Sequence, residues 1–224
     1  KVDAFGTCPL KYKFRYLFEI PSPSAHAANF GTSVHATVNE FYQHVIKGAQ
    51  PDIELLKELY GKCWISSGYE SRAHEQTRKK KGWEIMEKFY AAEEQAGFKI
   101  PAELEKMFRL KIGVIIFSGR IDRIDKLEDG TYEVIDYKTG SSKKGEDIKK
   151  DLQLSLYALA GRDVFKLPIS RLSLYFLEDG QKVSTTRGDK ELEFLKEEFQ
   201  RVADALRTSE FLPAPGRHCS WCED

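Results

Sequence analysis

The stretch GRIDRIDKLEDGTYEVIDYKTG, residues 119–140, reads as a β-strand, a turn at Glu128-Asp129-Gly130 and a return strand. Asp136 and Lys138 stand two positions apart on the return strand, so their side chains leave the same face. What lies opposite them depends on the turn. A two-residue turn at Asp129-Gly130 pairs Glu128 with Thr131 and sends Asp122 to the face away from Asp136. A three-residue loop, with Gly130 in the left-handed position, pairs Leu127 with Thr131 and sets Asp122 directly across from Asp136. In that register Asp122, Asp136 and Lys138 share a face, with opposed Cβ atoms about 4.5–5.5 Å apart. Two carboxylates so close repel unless a proton or cation lies between them. Hard oxygen ligands suit Mg²⁺ or Mn²⁺; relief of the pair by Arg120 or Lys138 is the alternative.

Working outward, residues 108–127 are β-rich and 131–138 form their return strand. Residues 169–179 form another strand, with a hairpin return through 181–186. Helical spacing predicts helices over 8–19, from near Thr32-Ser33 (Val34, Val38, Phe41, Tyr42 and Val45 on one face), and over 52–64, 70–96, 147–164 and 189–208. PSPS (21–24) reads as a loop, and FLPAPGRHCSWCED as an irregular tail. Leu152, Leu156, Leu159 and Ala160 form the apolar face of the 147–164 helix. The expected fold is α/β: a mixed central sheet flanked by helices, with a helical amino-terminal region.

At 224 residues, with 31 % charged and 41 % hydrophobic residues, the composition is that of a globular chain able to bury a core. No apolar run approaches the roughly 18–20 residues that span a bilayer, and no signal peptide is visible. The start at Lys1 and the stop at CSWCED suggest an excised fragment. Lys+Arg and Asp+Glu, 35 each, cancel, which weighs against a large nucleic-acid footprint. The charge is uneven, however: RAHEQTRKKK (72–81) and KYKFR (11–15) are basic. In KYKFRY the bases alternate with aromatics, compatible with contact to single-stranded DNA. The other reading has Phe14, Leu17 and Phe18 packed inward with Lys11, Lys13 and Arg15 in solvent. Four scattered cysteines suit a reducing, cytoplasmic setting.

GRID, EVIDYK, QLSLY and, upstream, FGTSVHATVNEF occur in the order of the motifs of RecB-type nucleases, and the chain resembles that branch of the PD-(D/E)xK superfamily. The resemblance implies a restriction-endonuclease-like core and one nuclease domain over 1–224. Its helical part would cover about 30–100, its core about 101–208 and a cysteine-bearing tail 209–224. It casts His35, Asp122, Asp136 and the backbone carbonyl of Tyr137 as metal ligands. It casts Lys138, with Asp136, Asp122, Gln153 and Tyr157, as catalytic. His35 falls in the first turn of its expected helix, where the dipole favours the neutral imidazole that ligation requires. Gln153 and Tyr157, at i and i+4, share a helix face. Glu105 matches an acid that some relatives carry on the first strand, and Asp125 points to the opposite face.

CPLKYKFRYL and HCSWC resemble the staple of the iron–sulfur subset, found among helicase-nuclease and CRISPR adaptation relatives. Cys8, Cys219 and Cys222 match three of the four ligands of a 4Fe–4S cluster, and the fourth would fall beyond the last residue. Zinc bound by these three with His218 is the alternative, and Cys63 reads as a core thiol. The expected activity is Mg²⁺- or Mn²⁺-dependent hydrolysis of DNA, as an exonuclease on single strands or ends. Its setting would be repair, recombination or CRISPR adaptation, with a possible helicase partner and no membrane. A silent DNA-holding module, or an iron–sulfur module serving a protein partner, is the competing expectation.

Overall fold

The computed structural model describes residues 2–20, 26–142 and 145–222, and the loop expected at 21–24 lies outside them. Five strands form one sheet in chain order: β1 (Glu103–Ile112), β2 (Ile115–Lys126), β3 (Tyr132–Lys138), β4 (Ile169–Phe176) and β5 (Gln181–Thr185). β3 and β4 are parallel and the other neighbours antiparallel, so the sheet is mixed, as expected. The β-rich run at 108–127 resolves into two strands reversing at Gly113, whose φ is +57°.

The turn between β2 and β3 is the three-residue one. The Leu127 N–H donates to the Thr131 carbonyl at 2.8 Å, and Gly130 closes the loop with φ +81°. The ladder continues through Ile124 opposite Val134 to Arg123 opposite Ile135. Asp122 and Asp136 follow next in that register.

The amino-terminal region holds α1 (Val2–Thr7), α2 (Pro9–Tyr12), a π turn (Lys13–Leu17), α3 (His26–Ile46), α4 (Ile53–Cys63) and α5 (Arg72–Ala96). α3 is already helical at His26, upstream of the expected Thr32-Ser33 start. Thr32 does not cap it; its hydroxyl folds back onto the Ala28 carbonyl at 2.9 Å, a bond available inside a helix. The helix expected over 147–164 is divided into α6 (Gly145–Lys149), α7 (Leu152–Ala160) and a π turn (Gly161–Phe165). The Asp151 carboxylate accepts from the N–H groups of Gln153 and Leu154 and so starts α7 afresh. α8 (Asp189–Thr208) and a 3₁₀ turn (Arg217–Trp221) complete the chain.

Two cores sandwich the sheet. α7 and α8 pack with Phe108, Val134, Leu172 and Leu174, while α3, α4 and α5 pack on Ile135, Tyr137 and Tyr175. Ile121 and Ile124 both enter the first core although they are three positions apart, which an unbroken pleat forbids. The break lies at Glu105, which faces Asp122 across the strands but leaves the ladder and adopts φ +50°.

Candidate active site

Three layers meet at Asp122 and Asp136. Asp136 is 2 % exposed and sits on the face covered by α7. Its Oδ1 accepts from Gln153 Nε2 at 2.8 Å and from the Tyr157 hydroxyl at 3.1 Å. Its Oδ2 is buried and lies 2.5 Å from Lys138 Nζ, and among the described residues no donor other than that ammonium reaches it. Lys138 Nζ also donates to Gln153 Oε1 at 2.8 Å. The Gln153 amide thus spans the acid and the base, donating to one and accepting from the other. It also donates to the Tyr157 hydroxyl at 2.5 Å, and that hydroxyl reaches the Arg120 carbonyl at 2.9 Å. The i, i+4 spacing of Gln153 and Tyr157 carries both to Asp136.

Asp122 Oδ2 accepts from the Tyr137 N–H at 2.9 Å, a tie across the two strands. The Tyr137 side chain turns to the opposite core, where its hydroxyl accepts from Arg123. His35 comes from α3, with Nδ1 3.3 Å from Asp122 Oδ2. A Cβ on Gly31, one turn earlier, would stand 3.6 Å from Thr139 Oγ1, so the glycine lets α3 pass close over the end of β3. His35 does not lie in a first helical turn, because α3 begins at least nine residues before it. The helix dipole therefore does not favour a neutral ring at His35. Burial favours the neutral imidazole, but the hydrogen bond and charge of Asp122, with Asp136 behind it, outweigh burial and raise the His35 pKa. Burial also raises the Asp136 carboxyl; Lys138 opposes this and Asp122 adds to it.

Glu105 belongs to the same cluster. Its carboxylate pairs with Arg120, and burial raises its pKa, with Arg120 lowering it and Asp122 raising it. The structure therefore brings together His35, Glu105, Asp122, Asp136, Lys138, Gln153 and Tyr157. Among the described residues, no three His, Cys, Asp or Glu side chains converge as a ready metal cage. The donors nonetheless suit a hard divalent ion: an Asp136 oxygen held only by the Lys138 ammonium, a second carboxylate from the neighbouring strand, and an imidazole touching it.

The cysteines sit apart from this cluster. Backbone N–H groups of Ala214 and Lys11 lower the Cys8 thiol pKa. Tyr12 stacks on Phe211, with centroids 6.3 Å apart, so the two ends of the chain meet. Cys219 Sγ accepts from the Gly216 N–H at 3.3 Å. Burial raises the Cys63 thiol, as a half-buried packing residue would show.

Sequence reasoning missed three supporting residues. Asp151 caps α7, a role that an Asp two residues before Gln153 could have signalled. Arg187 donates to the Ser155 hydroxyl and to the Ile148 carbonyl, fixing the α6–α7 junction from more than thirty residues away, with no local signal. The Arg120 carbonyl receives Tyr157.

The chain matches the family model for the PD-(D/E)XK nuclease superfamily over residues 1–223. A comparison with curated proteins found no match. Among solved structures, a candidate exonuclease from Eubacterium rectale superposes with a TM-score of 0.57 at 10 % identity, covering 99 % of this chain and 84 % of that one. SSO0001 aligns over 96 % of this chain and 91 % of its own at 16 % identity, but its TM-score of 0.39 is too low to argue a shared fold. No helix among the described residues is long and apolar enough to cross a membrane.

Proposed function

The chain belongs to the PD-(D/E)XK nuclease superfamily and has its restriction-endonuclease-like fold, and from that premise we propose that it is a RecB-type, metal-dependent deoxyribonuclease acting on single-stranded DNA or DNA ends. The observation that supports this most is Asp136 Oδ2, a buried carboxylate oxygen met only by the Lys138 ammonium among the described residues and set across from Asp122. His35, Asp122, Asp136 and the Tyr137 carbonyl would hold Mg²⁺ or Mn²⁺. Such an ion, when bound, lowers the pKa of a coordinated water and offsets charge on the scissile phosphate.

The chain's own residues do the rest. His35 must lose the proton that Asp122 and Asp136 favour, so occupation of the site releases a proton and weakens as pH falls. Lys138 carries the cation that orients the attacking water and balances negative charge developing on the phosphate. Gln153 holds that ammonium against Asp136, and Tyr157 fixes the far oxygen of the carboxylate. The helical part at about 30–100, the core at about 101–208 and the tail at 209–224 act as one domain in this reading, because α3 carries His35 onto the Asp122 of the core.

The iron–sulfur assignment rests on the motif likeness and on the meeting of the chain ends at Cys8. Cys8, Cys219 and Cys222 supply three thiolates where a cluster takes four, and they do not form a completed ligand set among the described residues. No catalytic step runs through such a cluster, or through zinc with His218. Iron, zinc and sulfide analysis of the purified protein decides between the two. A cytoplasmic setting, in repair, recombination or CRISPR adaptation beside a helicase, follows from the same likeness and from four free thiols.

The decisive assay offers labelled single- and double-stranded DNA to the protein with Mg²⁺ or Mn²⁺, beside Lys138→Ala. Wild type should cut, and the variant should lose at least about a hundredfold in rate. DNA bound but left intact with either metal would falsify the nuclease reading in favour of a DNA-holding module.

A further inference from the structure

A cleft of about 520 Å³ opens beside the candidate centre, within the roughly 300–1,000 Å³ typical of small-molecule sites. We propose that it is a nucleobase-binding subsite, which takes the unpaired base next to the phosphate held at Asp136 and Lys138. The proposal rests on the nuclease reading and names its substrate: a strand with bases free to leave the stack.

Gln153 and Tyr157 line the cleft and also touch Asp136, so whatever fills it lies against the hydrogen-bonded core of the site. The cleft walls include Phe117 from β2, Leu152 and Leu156 from α7, and Tyr12 from α2. Flat aromatic bases stack on such surfaces whatever their sequence. Leu152 was expected on the apolar face of its helix, but it is 36 % exposed in this lining, whereas Leu154 and Leu159 of the same helix are buried.

Among the described residues of the lining, Arg120, which pairs with Glu105 of β1, is the one charged residue and no carboxylate occurs, although the chain has as many acids as bases. Finally, Gly119 keeps the floor low: a Cβ there would come 2.7 Å from the Phe108 ring.

A duplex presents its bases edge-on inside the grooves, and only an unpaired or flipped base can offer its face to such a cleft. Preference for single strands would therefore originate in these walls rather than in the metal-binding residues.

The test measures binding in EDTA, where no cleavage occurs. A fluorescein-labelled thymidine oligonucleotide is compared with the same strand carrying abasic sites, which keeps every phosphate. Wild type should bind the base-bearing strand about tenfold more tightly. Leu152→Glu, at the exposed mouth, and Tyr12→Ala, on a separate helix, should each bring the two strands near parity. Equal binding of both strands by wild type, or full base preference in both variants, overturns the subsite. Base preference in EDTA without cleavage in Mg²⁺ or Mn²⁺ removes the nuclease reading and leaves the subsite standing. Equal affinity with active cleavage does the reverse.

Discussion

Glu105, the third residue of β1, holds a left-handed backbone within the strand, a conformation that costs an L-residue with a long side chain on the order of 1–2 kcal/mol. The strain has a local consequence. It breaks the β1 pleat opposite Asp122, and both Ile121 and Ile124 can then enter one core while Asp122 turns toward His35 and Tyr137. Glu105→Gly should relieve the backbone and raise unfolding stability by about 1 kcal/mol, yet lower DNA cleavage because the carboxylate is lost; thermal melts read against cleavage rates check the trade. A stability gain with full activity would show that the carboxylate is idle. The sequence marks Glu105 only as an acid on the first strand. Nothing in LEKMF signals a left-handed residue, because Gly, Asn and Asp are the types that usually mark one. Gln153 was legible, through its spacing from Tyr157 and its position after the DYK element. Replacing it with Leu removes the bridge between Asp136 and Lys138 and should lower kcat by about 10–100-fold with little change in KM. An unchanged kcat would sink the bridging role.

At the scale of elements, Arg123 ties the sheet to its helical cover. Its guanidinium donates to Asp125 at 2.6 Å, to Glu93 on α5 at 3.2 Å and to the Lys99 carbonyl at 3.0 Å, and it lies over the Tyr42 ring of α3 at 4.3 Å. Asp125 was legible as the residue facing away from the site; its partner Glu93, about thirty residues back on a helix, was not, because no periodicity links a strand to a distant helix. Arg123→Met leaves the buried Asp125 and the half-buried Glu93 without their cation and should cost about 3–5 kcal/mol in denaturant unfolding. A cost below 1 kcal/mol would show that those acids are solvated. The turn after α7 is held differently. Asp163 receives Arg162 and, from α8, Lys196, and the hydrogen bond from Arg162 chiefly holds its carboxyl below the usual range. A depressed folded pKa contributes stability that is present above the unfolded pKa and disappears as pH falls through the folded one. Asp163→Asn should therefore destabilise by about 0.5–1 kcal/mol at pH 7 and converge with wild type as pH falls below the depressed folded pKa; melts across that range test it.

Across the whole molecule, the mixed sheet and the order of its helices were legible because βαβ and hairpin patterns are local, and the β2–β3 register followed from one loop length. The use of the basic run at 72–81 was not, since its partners lie on other elements. Arg78 stacks over Phe30 at 4.2 Å, Lys79 lies over Trp64 at 5.8 Å, and Lys81 pairs with Glu178 at 2.9 Å. Three of its five basic residues therefore serve packing within the fold, leaving Arg72 and Lys80 exposed. Near the cleft, Lys138 and Arg120 already pair with Asp136 and Glu105, Lys11 and Lys13 flank Tyr12, and Arg109 and Lys111 are exposed on the adjoining strand. With a net charge of zero and about three to four cations near the bound strand, few counterions can be released on binding. A single strand contributes a slope of about −0.7 per neutralised phosphate in log affinity against log salt, so the expected slope is about −2 to −3. Fluorescence anisotropy of a labelled oligonucleotide titrated with KCl in EDTA measures it. A slope of about −6 or steeper would mean that the strand follows a longer basic track than this surface provides, and that affinity is governed by phosphates. A shallow slope, with affinity retained at high salt, leaves base contacts in the cleft as the larger part of recognition, because stacking, unlike phosphate pairing, releases no counterions.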